Sequence, residues 1–298
     1  MLRIVIPAHN EAQVIGRLLG QLVATAEEGE FDILVVANGC NDNTAEVAAA
    51  FGPPVRVLSV PVASKREALA AGNRAANGFP RFYVDADVEL RAEDVRELGQ
   101  ALQRPGVLAV SPERTLAMTG RRWPIRWYYD VWARLPEVEQ GLFGRGVIGV
   151  SEAGYARVAA MPPVLADDLV ASLVFSPAER VIVPGTMVTV HTPRTFADLL
   201  RVRTRAAMGV NEIERTEDAP DSTARTRPAD LVRMASRDVR LAPRVALFLG
   251  VALLARARAR RVAARHHDSE WLRAESSRTG PAVDGDQRHA NGKYSTIR

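Results

Sequence analysis

The chain has 298 residues, 47% of them hydrophobic and 25% charged, with a formal net charge of +4 and a single cysteine. That size and apolar content suit one large α/β domain with an appendage, or two modest domains, and exclude a disordered or fibrous chain. Cys40 alone permits neither a disulfide framework nor zinc-finger spacing, and Met1 to Asn10 runs into a polar helix after too few apolar positions for a secretory signal, so a cytoplasmic protein is expected.

Leu2 to Pro7 reads as a buried strand, followed by a helix with Asn10 at its N-cap, Glu11 in its first turn and an apolar face at Val14, Ile15, Leu18, Leu19 and Leu22. A second strand spans Phe31 to Val36, with a polar turn from Ala37 to Asn43 and a helix from Thr44 to Phe51. Val55 to Val60 and Ser64 to Asn77 make a third unit, and a fourth strand ends at Asp85. This alternation implies a mostly parallel sheet with helices on both faces and ligands at the carboxyl ends of the strands. Pro7 to Glu11, Ala37 to Asn43, Pro61 to Arg66 and Asp85 to Asp87 therefore fall on one rim.

The segment Arg81 to Glu89 is the most informative. Strand alternation would point Asp85 and Asp87 to the same side. Two carboxylates pushed out of an apolar sheet repel one another unless a cation sits between them, and a divalent ion carrying phosphates meets that need. Taken alone, an Asp-x-Asp can equally start a turn and cap the helix beginning near Ala92.

Beyond Val110 come an aromatic stretch from Trp123 to Trp132 and a glycine-rich loop from Gly141 to Gly149. The aromatics suit an acceptor platform or a helix packing into the core, and the glycines suit close approach to a ligand or a tight loop. Asp167 and Asp168 open an apolar segment, Val181 to Val190 gives one or two strands ending at His191, and Thr195 to about Arg215 reads as a basic helix. Glu217 to Pro228 is a polar linker. From Thr192 to Arg265 there are 16 Arg and no Lys against 8 acidic residues, so this part carries +8 and the remainder −4. Such a basic, partly apolar end suits an anionic membrane surface, and no nucleic-acid motif accompanies the arginines, so nucleic acid is not an expected partner. The uninterrupted apolar run Val245 to Ala255 falls short of the roughly 20 residues that span a bilayer. With Arg256, Arg258, Arg260, Arg261 and Arg265 behind it, it reads either as an interfacial helix on an anionic membrane or as a helix packed on the main domain with a solvated basic end. His266 to Arg298 is polar and aperiodic, the composition of a disordered tail.

The run Ile4 to Glu11, the Asp85–Asp87 pair, Asp167–Asp168 about eighty residues later, and the arginines 201, 203 and 205 in a following helix occur in the order seen in family 2 glycosyltransferases of the GT-A fold. The chain resembles that family over roughly Met1 to Arg215. The resemblance implies a catalytic domain at 1–216, with a nucleotide-sugar half at 1–110 and an acceptor half at 111–216, followed by a linker and helical extension at 217–265 and a tail at 266–298. It also implies transfer of a sugar from a nucleotide-diphosphate-sugar donor to an acceptor hydroxyl, with inversion and with Mn²⁺ or Mg²⁺ on the diphosphate.

Residue by residue, the resemblance places Pro7, Ala8, Asn10 and Glu11 in the loop that holds base and ribose, although Glu11 also suits a helix's first turn. In the second loop Gly39, Asp42 and Thr44 keep the family pattern, but the base-reading Asp is absent. Asn38 can both accept and donate to a base, which leaves uracil and guanine open; Asp42 and Thr44 build the turn and helix cap. Lys65 stands where the family often has a basic residue that reaches base or phosphate, and equally suits a solvated helix position. By resemblance Asp87 binds the metal directly and Asp85 supports the ribose or a metal-bound water; His191, closing a strand just before the basic helix, suits completing the coordination through a ring nitrogen and equally suits a surface position that caps the strand. Asp167 and Asp168 stand where the family usually has Glu-Asp, which makes Asp168 the general base that deprotonates the acceptor, although two acids also suit the first turn of a helix. Arg205, with Arg201 or Arg203, would neutralise the diphosphate; Val202 and Ala206 replace the family's Gln and Trp there, which argues against a processive polymer synthase.

The reading is a metal-dependent, inverting glycosyltransferase working in the cytoplasm, at the inner face of the membrane if its acceptor is a lipid-linked or cell-envelope glycan. The alternatives are a catalytically silent nucleotide-sugar-binding or scaffold protein, and a nucleotidyltransferase, whose Gly-rich Arg-Lys signature after the first strand is missing.

Overall fold

The computed structural model describes residues 1–160, 172–214 and 226–264. Among these, the strands are β1 (Leu2–Ala8), β2 (Phe31–Asn38), β3 (Val55–Val60), β4 (Arg81–Val84), β5 (Glu89–Leu90), β6 (Ala109–Ala117), β7 (Val147–Val150) and β8 (Arg180–His191). They form one sheet in the order β3-β2-β1-β4-β7-β6-β8-β5. The neighbours from β3 to β4 pair in parallel, as do β6 and β8, while β7 runs antiparallel between β4 and β6 and β5 runs antiparallel along β8. The helices are α1 (Ile15–Val23), α2 (Thr44–Ala49), α3 (Lys65–Ala75), α4 (Ala92–Ala101), α5 (Trp123–Ala133), α6 (Pro136–Gln140), α7 (Glu152–Ala159), α8 (Phe196–Glu214), α9 (Pro228–Arg237) and α10 (Ala242–Ala264).

The first strands are apolar at nearly every position because both faces are covered. On one face Ile4 and Ile6 of β1 and Ile33 and Val35 of β2 pack with Ile15, Leu18, Leu19 and Leu22 of α1 and with Val95 and Leu98 of α4. On the other, Val5, Leu34 and Val36 meet Ala68 and Ala71 of α3. Small residues let α3 lie close to the sheet: a Cβ on Gly72 would stand 2.5 Å from Cγ1 of Val5.

A third core joins α5 and α6 to the C-terminal helices. Tyr128, Trp132 and Val138 pack with Leu199 of α8, Leu231 of α9 and Val245, Phe248 and Val251 of α10. Phe248 stacks on Tyr128 with ring centroids 4.9 Å apart. The aromatic stretch is thus mainly a core helix, with Trp123 left 59% exposed.

Three local readings of the sequence change. The helix after β1 begins at Ile15, with Val14 at its N-cap and no side-chain cap, because Asn10 and Glu11 are drawn into contacts with the second loop. β4 stops at Val84, and Asp85 to Asp87 turn into β5, so strand alternation does not set the two carboxylates. The end of the glycine-rich loop is the strand β7: a Cβ on Gly149 would lie 2.4 Å from Cε1 of Phe82, so a strand position crossed by an aromatic ring carries the residue that otherwise signals a loop.

Candidate active site

The first two rim loops are clipped together. Asn10 has φ of 51°, a left-handed conformation that a short polar side chain tolerates, and its Oδ1 accepts the Asn41 N–H at 2.7 Å. The Glu11 N–H donates to Oγ1 of Thr44 at 2.8 Å, and the Ala12 N–H to Oδ2 of Asp42 at 3.2 Å. Nδ1 of His9 lies 2.6 Å from the Asn38 carbonyl oxygen. Cys40 is a packing residue in this clip, its Sγ 3.5 Å from the Ala8 carbonyl oxygen. Gly39 has φ of 54°, and a Cβ there would sit 2.6 Å from the Ala63 nitrogen, so glycine is what lets the second loop touch the third. Pro7 and Ala8 end β1 on this rim. Glu11 is 5% exposed.

Asn38 closes β2. It is fully buried, and among the described residues neither Oδ1 nor Nδ2 has a hydrogen-bond partner. Leaving a buried amide unpaired costs about 1–3 kcal/mol per group.

Asp85 is where three segments meet. Oδ1 lies 2.9 Å from Nζ of Lys65, the first residue of α3. Its N–H donates to the Gly146 carbonyl at 2.8 Å. Gly146, at φ of 67°, leaves only 3.3 Å between its Cβ position and Oδ2 of Asp85, so the glycine-rich loop backs the carboxylate. Beneath, Tyr83 donates to Oδ1 of Asn73 at 2.6 Å, and burial pushes its phenol up to about 12.

Glu89 joins His191 to Arg17 and, through Arg17, to the backbone of Asp87. Nε2 of His191 lies 2.7 Å from Oε1 of Glu89. Nε of Arg17, on α1, lies 3.4 Å from the same oxygen, and its Nη2 donates to the Asp87 carbonyl at 3.3 Å. Glu89 pairs with Thr189 across β5 and β8, which brings the end of the Asp85–Asp87 turn to the edge of β8. Val188 packs into the core, so alternation turns Thr189 and His191 to the opposite face.

The glycine-rich loop is braced by the buried Arg145 and the half-buried Arg114. Arg145 donates to the carbonyls of Gly141, Pro112 and Glu139 at 3.1, 3.0 and 2.8 Å, and burial lowers its pKa to about 10. Arg114 donates to the Val138 carbonyl at 2.8 Å and lies 4.6 Å from the centre of the Trp132 ring; burial, then the charge of Arg145, lowers its pKa to about 9.

On α8, Arg201 pairs with Asp198, Arg203 lies 5.5 Å from the Trp132 ring centre, and Arg205 is half-buried. Asp168 lies outside the described residues. Sequence reasoning passed over Glu89 and Arg17. Glu89 carried a signal in its two-residue spacing from Asp87; Arg17 looks like any polar position on an amphipathic helix.

Among the described residues no group of three or more His, Cys, Asp or Glu side chains is gathered to hold an ion unaided. A cation that arrives on a diphosphate takes one or two carboxylates from the protein and the rest of its donors from phosphate and water, and a carboxylate such as that of Asp87 has the chemistry for that role.

A family model described as glycosyl transferase family 2 matches residues 3–156, more than half of the chain. Over 110 residues the chain is 33% identical to the dolichyl-phosphate beta-glucosyltransferase ALG5C of Trichomonas vaginalis, a match spanning 33% of each protein. The fold is similar to the mannosyltransferase PcManGT of Pyrobaculum calidifontis, solved with GDP-Man and Mn²⁺, with a TM-score of 0.57, 19% identity and coverage of 90% of this chain and 76% of that one. It is also similar to glucosyl-3-phosphoglycerate synthase of Mycobacterium tuberculosis, solved with Mn²⁺, UDP and glucosyl-3-phosphoglycerate, with a TM-score of 0.53, 22% identity and coverage of 74% and 81%.

Proposed function

The chain belongs to glycosyl transferase family 2, and on that premise we propose that it transfers a sugar from a nucleoside-diphosphate-sugar to an acceptor hydroxyl, with inversion, dependence on a divalent cation, and an acceptor presented at a membrane surface. That it is a glycosyltransferase using a nucleotide-sugar donor is carried by the family match and the GT-A fold. The observation that carries the finer reading is the joining of Asp85 to Lys65, beside the group of Arg17, Glu89 and His191, on the rim where the first two loops are clipped together.

The nucleoside would lie along Pro7, Ala8, Asn10 and Glu11, with Asn38 offering the base one acceptor and one donor. Lys65 and Asp85 would hold ribose and phosphate in register, and Asp87 and His191 would hold Mn²⁺ or Mg²⁺. When bound, the cation supplies positive charge against the diphosphate. The acceptor oxygen attacks the anomeric carbon from the face opposite the diphosphate, the bond from that carbon to the phosphate oxygen breaks, and the acceptor's proton passes to Asp168. Arg205 would add charge stabilisation to the departing diphosphate.

Membrane presentation rests on α10. Its inner face, Val245, Phe248, Val251, Ala255 and Ala259, is buried, so of the two readings of this segment the packed helix is observed. Its outer face leaves Leu249, Leu253 and Leu254 at 43%, 63% and 51% exposure, followed by exposed Arg256, Arg258, Arg260 and Arg261. Uncovered leucines with a cationic rim suit the headgroup boundary of an anionic leaflet. No described helix is long and apolar enough to cross a membrane. The relative named for dolichyl phosphate supports a lipid-linked acceptor.

The reading is tested by thermal-shift titration with nucleoside diphosphates and nucleotide sugars, with and without Mn²⁺, followed by transfer assays with the stabilising donor. A donor that stabilises the protein only with Mn²⁺ is expected. Equal stabilisation without metal would remove the cation from the mechanism, and donor binding without transfer to any lipid or glycan acceptor would favour a silent binder.

A further inference from the structure

We infer that Glu89 is a positioning residue that fixes the ring of His191, so that Nδ1, and not Nε2, is the nitrogen offered to the cation; this rests on the metal-dependent reading above. The Glu89 carboxylate oxygen stands 2.7 Å from Nε2 of His191 and can only accept, so Nε2 carries the hydrogen. A neutral imidazole with its hydrogen on Nε2 keeps its lone pair on Nδ1, and a carboxylate behind a ligating histidine is the common way of setting both tautomer and ring direction.

The backbone at His191 is already held by the sheet, since Ala117 is its partner on β6 and Thr189, two residues before it, pairs with Glu89 on β5. The side-chain torsions remain, and the bond to Glu89 settles them. Arg17 adds the second restraint. Its guanidinium lies 3.4 Å from the same Oε1 of Glu89 and 3.3 Å from the Asp87 carbonyl oxygen, so one residue of α1 ties the carboxylate behind His191 to the backbone of Asp87. Glu89 thereby couples the two protein donors: movement of the Asp87 turn is felt by Arg17 and Glu89, and through them by the ring of His191.

The test uses the full chain and the substitutions Glu89→Ala, Glu89→Gln and His191→Ala, with circular dichroism as a fold control. Mn²⁺ is titrated with UDP present and, separately, with GDP present, and free Mn²⁺ is followed by electron paramagnetic resonance. Glu89→Ala is expected to weaken Mn²⁺ binding about 10–100-fold, the range for removing the partner of a ligating histidine. Glu89→Gln should recover most of the loss, because its amide oxygen still accepts from Nε2, and Glu89→Ala should add little once His191 is already Ala. Without metal, ¹⁵N spectra of the imidazoles at fixed pH should show the His191 signal, identified by its absence in His191→Ala, as the Nε2–H tautomer in the parent and in Glu89→Gln, with that preference lost in Glu89→Ala. Parental Mn²⁺ binding by Glu89→Ala, or an Nδ1–H tautomer in the parent, would overturn the positioning role alone. Absence of Mn²⁺ binding by the parent with both nucleotides would overturn the metal reading on which it rests.

Discussion

Nζ of Lys65 lies 2.9 Å from Oδ1 of Asp85, linking the start of α3 to the turn that follows β4. The pair is half-sheltered, with side-chain exposures of 20% and 41%, so its worth lies in geometry more than in Coulomb energy. Lys65→Met and Asp85→Asn are each expected to weaken donor binding about tenfold, and the double substitution should do little further damage. A coupling energy of roughly 0.5–3 kcal/mol, the range for residues in direct contact, is the expected result of the cycle. Strictly additive losses in calorimetric titrations would mean that the two side chains serve the donor independently.

Asp87 and Asp168 should separate binding from chemistry. In the proposed roles, Asp87→Asn would remove a carboxylate donor to the cation and should impair both metal-dependent donor binding and transfer. Asp168→Asn would remove only the proton acceptor, so donor affinity should persist while the turnover rate falls by about 10²–10⁴. Single-turnover transfer and equilibrium donor binding, measured on the same two variants, distinguish the roles; transfer by Asp168→Asn at the parental rate would remove Asp168 from the mechanism.

The outer face of α10 is expected to hold the protein on anionic vesicles. Replacing Leu249, Leu253 and Leu254 together by Ser should abolish co-sedimentation with vesicles containing phosphatidylglycerol and leave the thermal midpoint nearly unchanged, since all three side chains are exposed. Raising salt from about 0.1 to 1 M, which shortens the screening length from about 10 to 3 Å, should weaken binding of the parent through its arginines. Vesicle binding by the triple variant equal to the parent's would assign this face no membrane role.

The inner face of α10 is part of the core it shares with α5, α6 and α8, and Phe248→Ala should cost about 3–5 kcal/mol of stability. The same junction gives a pH dependence. Burial raises the Asp130 pKa, but hydrogen bonds from Arg244 of α10 and from Arg134 outweigh it and hold the carboxyl below its usual value of 3.8. A depressed folded-state pKa means that the contribution is present above the unfolded value and lost as pH falls through the folded one. Asp130→Asn should therefore melt earlier than the parent at pH 7, by the equivalent of roughly 0.5–1 kcal/mol, and the two should converge as pH falls through the depressed folded-state value. An equal gap at pH 7 and below that value, read by calorimetry, would place the effect of the substitution elsewhere.

The sequence alone determined the parallel strands and their rim of loops, because a strand covered on both faces is a continuous apolar run and each following helix repeats with its own period, as Ile4, Val5 and Ile6 before Ile15, Leu18 and Leu22 show. It determined the family as well, through short motifs whose order survives in the linear chain. It could not show that Gly149 belongs to a strand, since the reason for that glycine is the ring of Phe82 from a strand sixty-odd residues earlier. Nor could it show that Asn10 serves the second loop instead of capping α1, that Lys65 reaches Asp85, or that Arg17 and Glu89 stand behind Asp87 and His191. Each of these is a contact between segments far apart in the chain, specified by the sheet register and by how closely α1 and α3 lie against it. Local propensity and periodicity carry no record of such distances, which only the packed tertiary structure decides.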